Sequence, residues 1–449
     1  MTEPRDRSCG PVEYYARTAA ARRGHTRGVS DPVRVLAYGG IGPDACDTYR
    51  LGLYVDRLAA DGVIIEPWTP PLLHPEAYLG RPWDAIRDGV ASVSLDALTG
   101  ADVVLFSRWS NTRPACTECG LDCGDPEGLE RHAQKAGHSS LGVDPLLRLV
   151  ATELLANPAL RSRCAVVYDL DDDLFRQPEW VGHSAGLARE LDLVELFTRT
   201  ADLVTASTPV LAGRLAPLAA NVLVVRNAIE PAMYLPSDAA GSLPARERGD
   251  PAAPAETRFV FYGADVRRRD YALCRGAVDA TVADLEARGT RGHRIWLGSE
   301  SAAVAELVDE ALPYRRSVPE FAAALAATHP DIGLAPLEES PFAQAKSELH
   351  WLELSVSGAA TVASRLEGGE CPYSMIRHGV DGMLVAGDAE WRRSLGELAG
   401  SRDLRSEIAG RARERVLAEY QARDRAVEWA AAYRWAAAHP GIGLTRYIR

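Results

Sequence analysis

The chain has 449 residues, long enough for two domains of ordinary size, and its 47% hydrophobic and 25% charged content is that of a soluble globular protein. A formal net charge of −12 argues against a nonspecific grip on nucleic acid or anionic membrane, leaving only a local basic patch to override it. No run approaches a membrane span, and MTEPRDRSCG lacks the apolar core of a signal peptide, so a cytoplasmic protein is expected. Of eight cysteines, Cys9, Cys46, Cys164, Cys274 and Cys371 are scattered and three cluster, which favours a metal site over a disulfide framework.

Residues 1–30 show no strand pattern and read as a mobile leader or a short helix. An N-terminal Rossmann-like domain is expected over 31–235. It opens with the apolar strand Val33 to Tyr38 and runs into Gly39, Gly40, Ile41 and Gly42, where glycine permits close backbone approach to a ligand. Alone, GGIG also fits an ordinary turn between strand and helix. A helix from about Thr48 to Asp61 leads to the strand GVIIEPW, and Ala101 to Phe106 forms another strand ending in SRWSN.

Between that strand and a helix near Pro145 to Ala156 lies CTECGLDCGDPEGLERHAQKAGH, within an insertion over 114–140. Cys116 and Cys119 are separated by two residues, twelve residues precede His132, and five more separate it from His138. Two thiolates on a knuckle and two imidazoles on a following helix satisfy tetrahedral Zn2+. Leu129, three residues before His132, sits where a finger helix buries its large apolar residue. The segment resembles a C2H2-type zinc finger over these residues only. Cys123 stands where such fingers usually carry an aromatic, so Cys116, Cys119 and Cys123 with one histidine is a competing set. Four saturating ligands leave no open position, which makes the zinc structural. Glu118, Asp122, Asp125, Glu127 and Glu130 outnumber Arg131 and Lys135, a poor balance for neutralising phosphates. A staple, or a lid over the acceptor side, is the better reading.

Further strands follow at Cys164 to Tyr168, at Ala201 to Ala206 and over 222–227, the first ending in DLDDDLF. Short apolar strands alternating with amphipathic helices describe a parallel, doubly wound α/β sheet, which binds ligands at the carboxyl ends of its strands. Gly39, Gly40, Arg108 and Asp171 lie on that edge. Asp169, Asp171, Asp172 and Asp173 invite a metal reading, but capping of the next helix and exposure to solvent is the preferred one.

PSDAAGSLPARERGDPAAPAE is the natural linker, placed over 236–257. The C-terminal domain, 258–420, opens with RFVFY and GADVRRRD. Arg267, Arg268 and Arg269 follow a strand end directly. Three adjacent cations cannot all point one way, and Arg267 or Arg269 is expected to face a diphosphate. Strands at Arg294 to Leu297 and Ile332 to Pro336 feed PLEESPFAQAKSELHWLELSVSGAATVAS, the stretch richest in chemistry. Pro341 can open a helix there and Gly358 can close it. Lys346, His350 and Glu353 stand at i, i+4 and i+7, on one face of such a helix. A helix N-terminus and Lys346 suit a diphosphate, and a carboxylate has two oxygens for a vicinal diol of ribose. A solvated helix face is the alternative. Lys346 is one of only two lysines in the chain. Beyond Val385 the pattern is helical, and 421–449 reads as a last helix.

FAQAKSELHWLELSVSGAATVAS, followed by PYSMIRHGVDGMLV, resembles the donor-binding half of GT-B glycosyltransferases of the GT4-like, retaining kind. The resemblance implies two Rossmann-like doubly wound domains facing a cleft, with the last helix packing back across the domain seam. It makes Glu353 the ribose carboxylate, adds Gly263, Phe342 and Ser347 to donor binding, and gives Lys346, His350 and an Arg of 267–269 to the leaving diphosphate. Relatives often carry Lys where this chain has His350, and Ala345 stands where the commoner motif has a first glutamate. Similar chains often carry YDxDDDLF, which lets Asp171 touch the acceptor. The implied activity is transfer of a sugar from a nucleotide diphosphate sugar to an unidentified small-molecule or biopolymer acceptor, with no catalytic divalent cation. A rival from another class is a binding or scaffold protein that has lost catalysis and presents the zinc insertion to a partner.

Overall fold

The computed structural model describes residues 32–38, 45–67, 98, 100–107, 158–180, 184–234, 255–315, 317–367 and 372–448. The leader, Gly39, Gly40, Arg108, residues 236–254 of the expected linker, and the candidate zinc ligands Cys116, Cys119, Cys123, His132 and His138 lie outside them. The chain divides into two compact units. One combines Met1–Ile41, Tyr54–Val225 and Ala426–Arg449; the other combines Gly42–Leu53 with Arg226–Arg425.

Among the described residues the first unit holds a six-stranded sheet of β1 (Val33–Tyr38), β2 (Val63–Pro67), β3 (Val103–Ser107), β4 (Ala165–Leu170), β5 (Leu203–Ala206) and β6 (Val222–Val224) in the order β2-β1-β3-β4-β5-β6. Every pairing is parallel, with Val35 opposite Val103 and Val103 opposite Ala165. β3, β4 and β5 are buried along their whole length, which is why each reads as a mainly apolar run and not as an alternation. The rings of Phe106 and Tyr168 pack on Phe197 of the helix Ser184–Thr200 at 4.6 and 5.0 Å between centroids. Near the C-terminus, Gly443 donates its amide to the buried Asp202 at 2.9 Å, and Arg161 pairs with the same carboxylate at 3.0 Å.

The second unit repeats the architecture with β7 (Glu256–Tyr262), β8 (Arg291–Leu297), β9 (Glu310–Leu312), β10 (Ile332–Ala335), β11 (Ala360–Ser364) and β12 (Met383–Val385), ordered β12-β11-β10-β7-β8-β9 and all parallel. Phe259, Phe261 and Trp296 from the sheet pack with Trp391 and Leu395 of the helix Gly387–Gly400 in one core. Gly333 is required within β10, because a Cβ there would meet Leu354 at 2.8 Å. Among the described residues no helix is long and apolar enough to cross a membrane. Cys46, Cys164 and Cys274 are free thiols.

Two helices differ from expectation. The span Thr48 to Asp61 is broken into the helix Ala45–Arg50, a 3-10 turn at Gly52–Tyr54 and the helix Val55–Ala60, with the interruption at a glycine. The helix expected from Pro341 to Gly358 is two, Pro341–Gln344 and Leu349–Val356. Ser340 caps the first by accepting from the Ala343 amide at 3.0 Å. Gly358, at φ +90°, ends the second, with Gly358 N–H donating to Ser355 O and Ala359 N–H to Leu354 O at 3.1 and 3.0 Å. Lys346 therefore lies in the turn between the helices and does not share a helical face with His350 and Glu353.

Candidate functional site

In the second sheet the chain runs from β7 outward to β8 and β9, then returns on the other side of β7 as β10. The order reverses between β7 and β10, and the crevice at their carboxyl ends is where open parallel sheets take ligands. Tyr262, Gly263 and Arg267 leave β7 at that point, and the stretch from Pro336 to Glu353 leaves β10 there. The topology thus brings together the two segments singled out from the sequence.

Glu353 is only 3% exposed. Its Oε1 accepts from Tyr49 Oη at 2.5 Å and from Tyr234 Oη at 3.2 Å, and its Oε2 accepts from Tyr262 Oη. Tyr234 Oη also lies 2.7 Å from Tyr49 Oη, so its one proton is shared between Tyr49 and Glu353. Burial pushes the Glu353 carboxyl up to about 7 although all three phenols favour its charged form. The same burial, with the adjacent carboxylate, raises all three phenols well above the ordinary tyrosine value, so they remain protonated donors.

His350 stacks obliquely on Tyr262, with ring centroids 4.3 Å apart. Packing around the ring, then the positive charges of Arg267 and Lys346, hold its pKa well below the usual histidine value. At neutral pH it is an uncharged imidazole, able to donate or accept one hydrogen bond at each nitrogen according to tautomer. Lys346 Nζ lies 4.4 Å from the centre of the Phe342 ring. Of the two arginines expected to serve a diphosphate, Arg267 pairs with the buried Asp270 at 2.9 Å, and its guanidinium reaches toward Pro336 O at 3.5 Å. Gly263, at φ +145°, makes room for it, since a Cβ there would meet Arg267 Cγ at 2.7 Å. Arg269 instead forms a two-pronged pair with Glu338 at 2.9 and 3.0 Å, on the outside of the unit.

A second polar chain runs past the start of the helix Leu349–Val356. Ser347 Oγ accepts from Asn227 Nδ2 at 2.9 Å, and Asn227 Oδ1 accepts from the buried Arg50 at 3.0 Å. Glu348, fully buried, pairs with Arg226 at 3.1 Å and is raised in pKa by its burial. Tyr49, Tyr234, Arg50 and Asn227 are site residues that the sequence reading missed. Tyr262 and Asn227 carried a faint signal as polar ends of apolar runs; Tyr49 and Tyr234 carried none.

In the first unit, Asp171 follows the carboxyl end of β4 and accepts from Ser207 Oγ at its backbone oxygen, 2.7 Å away. Asp169 is buried and accepts from Thr205 Oγ1 at 2.6 Å, while the buried Asp173 pairs with Arg176 at 3.1 Å and Arg214 at 2.9 Å. Asp169 is an internal partner and not a cap or a solvated charge, whereas Asp173 stands at the N-cap of the 3-10 turn Leu174–Arg176, with its side chain given to the two arginines and not to the turn's amides. Among the described residues no group of three His, Cys, Asp or Glu side chains is placed to hold a metal ion.

No family model and no curated protein matches this sequence. Solved structures do. The chain is similar to HepE of Anabaena, crystallised with UDP and glucose, with a TM-score of 0.52 and 15% identity over 89% of this chain and 97% of that one. A glycosyltransferase from Rickettsia africae gives a TM-score of 0.48 at 9% identity, again over 89% and 97%. TarM gives 0.44 at 11%, over 60% of this chain and 50% of that one, so this chain spans about half of TarM's length. The HepE likeness, with the two six-stranded parallel sheets, defines the fold as the pair of Rossmann-like units of the GT-B type.

Proposed function

We propose that this protein is a retaining glycosyltransferase, GT4-like, that takes its sugar from a nucleotide diphosphate sugar bound at the carboxyl end of β7 and β10. The observation that carries the reading is the convergence there of a buried carboxylate, Glu353, with two cations, Lys346 and Arg267, and a neutral imidazole, His350. Glu353 grips the ribose hydroxyls. Lys346, Arg267 and the amino end of Leu349–Val356 stabilise the charge that develops as the sugar C1–O bond to the diphosphate breaks. The acceptor oxygen bonds to C1 on the same face and passes its proton to the leaving phosphate oxygen, so no enzyme nucleophile is required. His350, uncharged, serves as a hydrogen-bond donor to phosphate or sugar.

Supporting the reading are the likeness in fold to HepE, which was crystallised with UDP and glucose, and the resemblance, read from sequence, of the Glu353 stretch to the donor helix of this kind of transferase. The acceptor half is assigned to the first unit, with Asp171 at its edge and Gly39, Gly40 and Arg108 expected there from sequence. The spacing of Cys116, Cys119, His132 and His138, or Cys123 in place of one histidine, supports one structural zinc that shapes acceptor choice. The test is release of nucleoside diphosphate from a panel of nucleotide sugars. One donor is expected to stand out, with turnover lost in Lys346→Ala; near-normal turnover in that variant would remove Lys346 from the reaction.

A second reading has one observation in its favour. Glu353 is already engaged by three phenols, and His350 stands in place of the usual Lys, as in a scaffold that has kept the fold and lost transfer. Binding of a nucleoside diphosphate without turnover of any nucleotide sugar would select it.

A further inference from the structure

The phenols of Tyr49, Tyr234 and Tyr262 surround the Glu353 carboxylate on both oxygens, and the side chain is buried. A ribose diol would have to bring two hydroxyls to those oxygens, and it cannot reach them while all three phenols stay. The three tyrosines are not held alike. Tyr262 ends β7 and its ring is fixed between Phe321 and His350, at 5.0 and 4.3 Å between centroids. Tyr234 closes the turn Pro231–Met233, which leads on from Asn227 and the backbone pairing of Ile229 with Tyr420 and Ala422 at 2.9 Å. Tyr49 belongs to the six-residue helix Ala45–Arg50, in Gly42–Leu53, the one segment before Arg226 that groups with this unit.

The neighbouring side chain makes the same kind of contact. Arg50 NH1 donates to Asn227, whose amide in turn donates to Ser347. Of two consecutive residues of one short helix, Tyr49 thus engages Glu353 directly and Arg50 reaches Ser347 through Asn227, and the donor reading gives both Glu353 and Ser347 to the nucleotide sugar. A phenol O–H aimed at Oε1 is chemically what a ribose hydroxyl would be, an O–H donor to a carboxylate.

We propose that Tyr49 is a built-in ribose mimic that occupies the donor site in the absence of nucleotide, so that nucleoside diphosphate binds by displacing the Tyr49 phenol from Glu353. The proposal rests on the donor-site reading of Glu353. The nucleotide-competent population is the fraction with Tyr49 withdrawn, and apparent affinity is reduced by that fraction. Removing one charge-assisted hydrogen bond raises it by about ten- to a hundredfold.

The experiment is calorimetric titration of UDP, GDP, ADP, CDP and TDP into wild type, Tyr49→Phe and Glu353→Ala, with hydrogen exchange of wild type over residues 45–50 in the presence and absence of the nucleotide that binds. Expected are a Kd about ten- to a hundredfold lower in Tyr49→Phe, loss of binding in Glu353→Ala, and faster exchange over 45–50 when nucleotide is bound. A tyrosine with a purely structural role would give unchanged or weaker binding in Tyr49→Phe and unchanged or slower exchange. That outcome, with binding still lost in Glu353→Ala, overturns the plug and leaves the donor site standing. Absence of binding by every nucleotide to both wild type and Tyr49→Phe overturns the donor site and the plug together. Should Tyr49→Phe fail to fold, the exchange measurement on wild type decides alone.

Discussion

Replacing Glu353 by Gln keeps the shape of the side chain and removes its charge. The folded carboxyl has its pKa pushed up to about 7 from the ordinary value of 4.5, with burial as the dominant cause. The native state thus binds the proton more tightly than the unfolded chain does. This contribution to stability is fully present below about pH 4.5 and is lost as pH rises through about 7. A shift of this size amounts to about 3 kcal/mol between the two limits. Urea unfolding of wild type and Glu353→Gln, followed by circular dichroism at pH 5, 6, 7 and 8, reads it directly. The variant is expected to gain on wild type by about 2.5 kcal/mol between pH 5 and pH 8, since part of the change lies below pH 5. Glu348, Asp270 and Asp202 are also raised by burial, but both proteins carry them and they cancel in the difference. Parallel pH profiles would refute the reasoning, since they would mean that the three phenols offset the whole cost of burying the charge.

Tyr262→Phe removes the donor to Glu353 Oε2 and leaves the ring packing intact; a loss of about 1.5–3 kcal/mol in thermal or urea unfolding is expected at pH 8, where the carboxylate is charged, and a smaller one at pH 5. Gly263→Ala forces an alanine to φ +145° and drives a Cβ to 2.7 Å from Arg267 Cγ, so a destabilisation of about 1–3 kcal/mol is expected together with weaker nucleotide binding through the displaced guanidinium. Metal analysis of purified protein is expected to give one zinc per chain, lost in Cys116→Ser; a zinc-free protein that is folded would remove the finger-like insertion.

Much of the fold was legible because its central strands are buried on both faces. Val33 to Tyr38, Ala101 to Phe106 and Ile332 to Pro336 are mainly apolar runs, broken at Arg34 and Asp102, and each marks a strand within a residue or two of its observed bounds. β9 and β12 were not anticipated, because three residues at the edge of a sheet carry neither a run nor an alternation. The break of one expected helix into Pro341–Gln344 and Leu349–Val356 was hidden for another reason. Its cause is tertiary, with Ser347 bonded to Asn227 and Glu348 to Arg226, and helical spacing continues across it.

The site was half legible. Glu353, Lys346 and His350 lie in one stretch whose polar groups interrupt an apolar pattern, and any reader of that pattern meets them. The phenols of Tyr49 and Tyr234 come from 304 and 119 residues away in sequence, in segments with no pattern that points to a ligand. Only the fold reveals that a residue typed as a ribose carboxylate already holds three donors. Arg267 and Arg269 show the same limit: two residues apart and identical in type, one packs where Gly263 leaves room for it and the other is bound to Glu338 outside the site.

Equilibrium binding of the preferred nucleoside diphosphate, compared with its 2′,3′-dideoxy counterpart, bears most directly on the claim that this unit holds a nucleotide donor through Glu353. The dideoxy ligand is expected to bind at least about tenfold more weakly, as befits the loss of hydrogen bonds to a charged group, with the difference vanishing in Glu353→Ala. Equal affinity of the two ligands for wild type would contradict the assignment of Glu353 to ribose and, with it, the donor site built around that carboxylate.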